Sequence, residues 1–169
     1  MIHQPIPRLS PVGEAITLRQ FAGQFPTGVA VVTTRNEDGA LFGATMNSVT
    51  SLSLDPPLYL MCFQRSSLTF DVMKGSRVFG MSFLAKGQEQ IAAHFARSGL
   101  SKFKSIAHSV APVGVPIIDG AAASCIGRVA DIHQGGDHVV VFATVDEVTT
   151  SAAEPLVFHK GCYRCLAPI

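Results

Sequence analysis

Ala121-Ala-Ala-Ser-Cys-Ile-Gly-Arg-Val-Ala-Asp-Ile132, then Gly135-Gly136, then His138-Val-Val-Val-Phe-Ala-Thr-Val-Asp-Glu-Val148 is the stretch on which the fold turns. Two runs rich in apolar and β-branched residues, joined by a Gly-Gly turn, predict a long antiparallel pair. The same grammar appears earlier in the chain. Gly28-Val-Ala-Val-Val-Thr-Thr34, Asn36-Glu-Asp-Gly39 and residues Ala40 to Asn47 predict strand, turn, strand, with Asp38-Gly39 supplying the positive-φ turn positions. Val49 to Leu54 is a further extended piece, broken by Asp55-Pro56-Pro57 before the apolar strand Leu58-Tyr-Leu-Met-Cys-Phe63. Val78 to Leu84 and Leu156 to Leu166 complete the set. Helices are few and short: Leu18 to Phe25 capped by Thr17 and ended by Pro26, a second from Ser66 or Ser67 to Lys74 stopped by Gly75, and Gln88 to Arg97 with Ile91, Ala92 and Phe95 at helical spacing. About seven strands joined by short turns, with few helical crossovers, predict a mainly β antiparallel barrel rather than a parallel α/β sheet.

The chain has 169 residues, enough for one domain that buries roughly 70% of its unfolded surface. Residues 1–16 are expected to form an N-terminal arm and residues 17–169 a single domain. Hydrophobic residues make up 47% and charged residues 15% of the sequence, against a usual charged share of ~25%; disorder and a coiled coil are therefore disfavoured. Lys and Arg number 13 against 12 Asp and Glu, with no basic run, which argues against a nucleic-acid backbone binder. A nearly neutral, apolar composition points to self-association. No apolar run approaches the ~18 residues that span a bilayer, so no membrane partner is expected. The N-terminal ten residues contain two prolines and lack a signal-peptide core, so a cytoplasmic location is expected. Cys62, Cys125, Cys162 and Cys165 are read as thiols that serve packing.

Dinucleotide-binding glycine fingerprints, phosphate loops, zinc-protease motifs and nucleophile elbows are all missing from the sequence. Cys162-Tyr-Arg-Cys165 has the spacing of half a zinc site, but residues three apart on a strand face opposite sides and no second pair completes four ligands, so no metal site is expected. Polar groups concentrate in Thr45-Met-Asn-Ser-Val-Thr-Ser51 and in Cys62-Phe-Gln-Arg-Ser-Ser-Leu-Thr69. The first is a strand end carrying hydroxyl and amide groups among apolar neighbours. The second places Ser66, Ser67 and Thr69 at a helix start, where backbone N–H groups and the helix dipole favour an anion. Together they suit an aromatic ring and a phosphate. The plainer alternative is a simple helix cap and an edge strand with solvated hydroxyls. His138, after Gly136-Asp137, is either a solvated turn histidine or a cleft-edge group that steers a second ligand. His94 and His108 have no comparable context and read as structural histidines.

These pieces occur in a recognisable order. Phe25-Pro-Thr-Gly-Val-Ala-Val-Val-Thr-Thr34, Thr45-Met-Asn-Ser-Val-Thr-Ser-Leu-Ser-Leu-Asp-Pro-Pro57, Gly136-Asp-His138 and Pro155-Leu-Val-Phe-His-Lys-Gly-Cys-Tyr163 resemble the flavin reductase family, the small reductase components of two-component flavin monooxygenases. Smaller matches at Phe83-Leu84, Lys102-Phe103 and Gly114-Val-Pro116 extend the likeness over about residues 18 to 166. The resemblance implies an FMN-binding split barrel, a Greek-key β-barrel with a few short helices, and a homodimer. It implies hydride transfer from NADH or NADPH to FMN or FAD, and a partner monooxygenase that consumes the reduced flavin. No protein nucleophile or acid/base residue is then required, because the hydride chemistry belongs to the cofactors.

By the same resemblance, Thr45, Met46, Asn47 and Ser48 line the isoalloxazine ring, followed by Ser51 and Leu52. Cys62, Phe63 and Gln64 lead to the ribityl chain, Ser66, Ser67 and Thr69 take the phosphate, and Lys102 with Phe103 closes the site. Thr27, Gly28, His138 and Tyr163 are implied to border the nicotinamide. Ala143 stands where the family commonly has glycine, and Met46 and Val49 where it often has alanine and phenylalanine, so the surface over the ring differs. FMN is preferred over FAD, and NADH over NADPH because no arginine cluster adjoins Gly136 to His138. Two alternatives stay open: a reductase whose bound flavin serves another acceptor such as a corrinoid, and a flavin-binding electron carrier. A pyridoxine phosphate oxidase relative is disfavoured, since only Arg65 and Lys74 lie near the phosphate loop.

Overall fold

The computed structural model describes residues 15–99 and 101–167. In chain order its strands are β1 (Thr27–Gly28), β2 (Ala30–Arg35), β3 (Leu41–Met46), β4 (Val49–Leu54), β5 (Pro57–Gln64) and β6 (Val78–Phe83). There follow β7 (His108–Val110), β8 (Pro116–Ile118), β9 (Ala123–Gly135), β10 (His138–Thr150), β11 (Val157–His159) and β12 (Cys162–Arg164). Helices α1 (Ala15–Ala22), α2 (Leu68–Ser76) and α3 (Glu89–Ala96), and a 3-10 turn at Lys102–Ser105, sit between them. Seven strands form one antiparallel sheet in the order β3-β2-β6-β9-β10-β5-β4. The ends of that order, β3 and β4, are joined by only Asn47 and Ser48. Three Cα–Cα steps span at most about 11 Å, so the two edges are forced together and the sheet curls into a barrel. They do not pair, which leaves a split. The expected Greek-key split barrel is therefore the fold observed.

Strand sequences explain the layering. Both faces of β2 are covered: Ala30 and Val32 enter the barrel core with Met61, Phe63, Phe79, Met81 and Val141, while Val29 and Val31 pack outside it with Leu84, Ala92, Phe95, Phe103 and Leu156. A strand covered on both sides carries an unbroken apolar run instead of alternation, which is why Val-Ala-Val-Val occurs here. Helix α2 adds Phe70 and Met73 to the barrel core, and α3 adds Ala92 and Phe95 to the outer layer.

Several local expectations need correction. Thr17 lies inside α1, which already includes Ala15 and Ile16 and ends at Ala22, so Thr17 is not its cap. In the β2–β3 turn only Gly39 has a positive φ, 82°; Asn36 Oδ1 accepts from Ala40 N–H at 2.7 Å and stabilises a wider loop. Helix α2 runs through Gly75 and stops at Arg77, φ 60°, whose N–H donates to Met73 O at 2.9 Å. The last strand is a hairpin, β11 and β12, turned by Lys160 (φ 51°) and Gly161 (φ 78°). Cys62 and Cys125 are partly buried as packing thiols, but Cys162 and Cys165 are exposed. Ala143 is buried in the barrel opposite Tyr59, at an irregularity of the β9–β10 ladder. No helix among the described residues is long and apolar enough to cross a membrane.

Candidate active site

A cleft of about 440 Å³ opens over the split, walled by β3, the end of β5, the start of α2, the end of α3 and the loop leading to Lys102. Its size falls within the roughly 300–1,000 Å³ of small-molecule sites. Thr45, Met46, Asn47, Ser48, Cys62, Phe63, Gln64, Ser66, Ser67, Thr69, Lys102 and His138 all line it. Two contiguous stretches, 45–48 and 62–69, meet because Ser48 O accepts from Cys62 N–H at 2.9 Å, extending the β4–β5 pair one step past Val49–Met61.

One end gathers groups whose chemistry suits an anion. Ser67 caps α2, its hydroxyl accepting from Phe70 N–H at 3.3 Å. The N–H groups of Leu68 and Thr69 belong to the first turn, where no intrahelical acceptor exists, and the helix dipole adds partial positive charge there. Across the cleft the half-buried Lys102 ammonium donates to Gly43 O at 3.0 Å and Phe95 O at 3.1 Å. Those two bonds engage two of its three protons. Burial holds its pKa below the ordinary lysine value, so the charged form that would attract a phosphate is present below that lowered pKa and is lost at a lower pH than for an ordinary lysine. FMN affinity should accordingly decline at alkaline pH below the usual lysine range, more than riboflavin affinity, which shares any titration of the ring. Lys102→Arg should remove the difference; an identical alkaline limb for the two flavins in the native protein would contradict this assignment.

The other end combines hydroxyl, amide and apolar groups, a surface that suits a ring with a polar edge. The Thr45 hydroxyl donates to Ala92 O at 2.7 Å, which fixes β3 against α3 and leaves its lone pairs to accept. Met46 packs on the barrel core, while Asn47 and Ser48 are exposed at the split. His138 Nδ1 lies 2.7 Å from Asp137 Oδ1; this bond lowers the Asp137 pKa and leaves Nε2 for the cleft. Burial pushes the Cys62 thiol pKa up, so it is a neutral contact rather than a nucleophile. Gly43 is required beneath the cleft, because a Cβ there would come within 2.8 Å of the Phe95 ring.

Other expected residues lie elsewhere. Ser51 and Leu52 are exposed on β4 outside the cleft lining, because β4 leaves β3 at the split to pair with β5. Phe103 is buried behind the wall, its ring 5.0 Å from Phe95 and 5.1 Å from His108. Thr27 and Gly28 pair with Phe158 and Val157, and Tyr163 packs on Phe158 with ring centroids 5.6 Å apart. None of these three lines the cleft. They support a second groove of about 600 Å³ between α1 and the β11–β12 turn, lined by Phe25, Phe158, His159 and Lys160, with Asn47 shared with the first cleft. Phe25 and Phe158 to Gly161 belong to the stretches that carry the family resemblance, but nothing in either stretch signals that they share a groove, and Arg97 to Gly99 on the first cleft carry no local motif.

A fixed cation opposite a helix N-terminus, with a hydroxyl- and amide-bearing strand end beyond, fits an aromatic ring bearing a phosphorylated tail. The flavin reductase like domain model matches residues 22–167, and the chain belongs to the flavin reductase family. HsaB, the reductase subunit of a flavin-dependent monooxygenase from Mycobacterium tuberculosis, is 36% identical over 155 residues, covering 90% of this chain and 82% of HsaB. The NADH-dependent FAD reductase of Streptomyces globisporus is 34% identical over 161 residues, covering 92% and 87%. Among solved structures, the Streptomyces globisporus NADH:FAD oxidoreductase SgcE6 has a TM-score of 0.91 at 33% identity over 97% of this chain and 99% of that one. SgcE6 in complex with NAD and FAD fragments gives a TM-score of 0.90 at 34% identity, over 96% and 98%.

Proposed function

We infer that this chain is an NAD(P)H-dependent flavin reductase that passes a hydride from reduced nicotinamide to FMN or FAD and supplies the reduced flavin to a monooxygenase. The observation that carries it is the single cleft joining the strand end 45–48 to the Lys102 and α2 anion site. The cofactors supply the hydride donor and acceptor; the protein's residues bind, orient and exclude water. Lys102, with Ser66, Ser67 and Thr69 at the start of α2, holds the phosphate, Gln64 follows the ribityl chain, and Thr45 to Ser48 hold the ring. The nicotinamide approaches where the two grooves share Asn47, with His138 on the flavin side and the Phe158 to Gly161 turn on the other. NADH with FAD is the pair used by the Streptomyces globisporus relatives, which favours NADH as the donor and brings FAD forward beside the FMN expected from the sequence.

Anaerobic mixing of the protein with NADH and FAD tests the function: loss of the flavin's visible band on the timescale of turnover supports it, and an unchanged spectrum refutes it. His138→Ala should raise the NADH KM about tenfold, as loss of a polar contact worth ~1.4 kcal/mol would, and change flavin Kd less than about twofold. Equal losses in both constants would remove His138 as a nicotinamide contact. A homodimer is proposed from exposed Leu52, Leu54 and Val148 on β4 and β10; a monomeric mass by light scattering would exclude it.

A further inference from the structure

We propose that His94 is a positioning residue that sets Lys102 for the phosphate of the bound flavin, an inference that rests on the assignment of Lys102 above. His94 lies in the last turn of α3 and is not among the residues lining the cleft. Its Nε2 is 2.8 Å from Lys102 O. A carbonyl only accepts, so Nε2 carries the proton and donates. The imidazole is held edge-on to the Phe95 ring at 5.5 Å and 85°.

Lys102 answers from the other direction, its Nζ donating to Phe95 O at 3.1 Å and Gly43 O at 3.0 Å. Residue 102 is thus clasped twice, at its carbonyl by His94 and at its ammonium by the adjacent Phe95 and by β3. Immediately before Lys102, Ser101 holds a left-handed φ of 62°, a conformation uncommon for a residue other than glycine. The His94 bond fixes the backbone just after it, so the ammonium meets the cleft in one place. Lys102 then binds a phosphate without first being ordered, which is the saving that preorganisation provides.

Fluorescence titration with FMN and with riboflavin tests this on the native protein, His94→Ala, His94→Gln, Lys102→Met and the double variant His94→Ala/Lys102→Met. His94→Ala should raise the FMN Kd about fivefold, the equivalent of one hydrogen bond of ~1 kcal/mol, while riboflavin stays within about twofold. His94→Gln, whose amide N–H replaces Nε2–H, should restore FMN affinity. The double variant should bind FMN no more weakly than Lys102→Met alone, because His94 acts through that side chain. Equal weakening of both flavins by His94→Ala, or its full fold-change persisting on the Lys102→Met background, would overturn the proposal. If Lys102→Met itself spares FMN, the assignment of Lys102 falls and His94 with it; if Lys102→Met is selective and His94→Ala is not, His94 alone is refuted.

Discussion

Lys102→Met should weaken FMN binding by about 10- to 100-fold, the range expected for losing a charge-assisted hydrogen bond of ~1.5–3 kcal/mol, while riboflavin binds within about twofold of the native protein. The two flavins share a ring and differ in the phosphate, so their ratio isolates the contact at the tail. The lysine also ties β3 to α3 through Gly43 O and Phe95 O, and some general loosening follows its removal. That loosening affects both flavins alike and cancels in the ratio. Fluorescence quenching titrations measure both constants, and an unchanged ratio would place the phosphate somewhere else.

Gly127→Ala should be the most destabilising single change considered, costing more than about 3 kcal/mol and lowering Tm by about 10 °C or preventing soluble expression. Gly127 is buried on β9 between β6 and β10, paired with Phe79 and Val145. A Cβ there would overlap the carbonyl oxygen of Thr144 and stand 2.8 Å from Cε1 of Phe79, which is fully buried. Neither a backbone carbonyl in a paired strand nor a ring packed in the barrel core can move aside cheaply. Gly75→Ala provides the control. A Cβ at Gly75, inside α2, meets nothing within 4 Å, so alanine should stabilise by about 0.5–1 kcal/mol through helix propensity. Thermal unfolding of the two variants should therefore move in opposite directions; a Gly127→Ala protein with native Tm would mean the β9 to β10 packing is wrong.

The barrel strands were legible because their chemistry is local. Val139 to Val145 and Ala30 to Thr34 are dense in β-branched residues, and Gly136 and Gly39 mark two of the turns. The closing hairpin was hidden because Lys160 occupies a left-handed position that asparagine, aspartate or glycine usually announces. The end of α2 was misplaced for the converse reason: Gly75 looks like a stop, yet the left-handed cap is Arg77.

The cleft follows the same rule. Residues 45–48 and 62–69 are contiguous in sequence, so their polar groups on an apolar background stood out, and the fold brings them together through the Ser48–Cys62 contact. Lys102 was reached through family resemblance, since an isolated lysine carries no signal of its own. The second groove joins α1 to the β11–β12 turn, segments more than a hundred residues apart, and only tertiary structure assembles it. Phe103 and Tyr163, both aromatic and near site residues in sequence, turned out to pack behind the walls. Sequence proximity places a residue on an element but does not say which face it occupies.

The central claim, that flavin is a diffusible substrate reduced by nicotinamide on this protein, is tested most directly by the rate of NADH oxidation as free FMN or FAD is added to the purified protein, with its visible spectrum recorded beforehand. A preparation with little bound flavin, and a rate that rises and saturates with added flavin, is expected. A yellow protein whose own flavin is bleached by NADH, and whose turnover ignores added flavin, would contradict it.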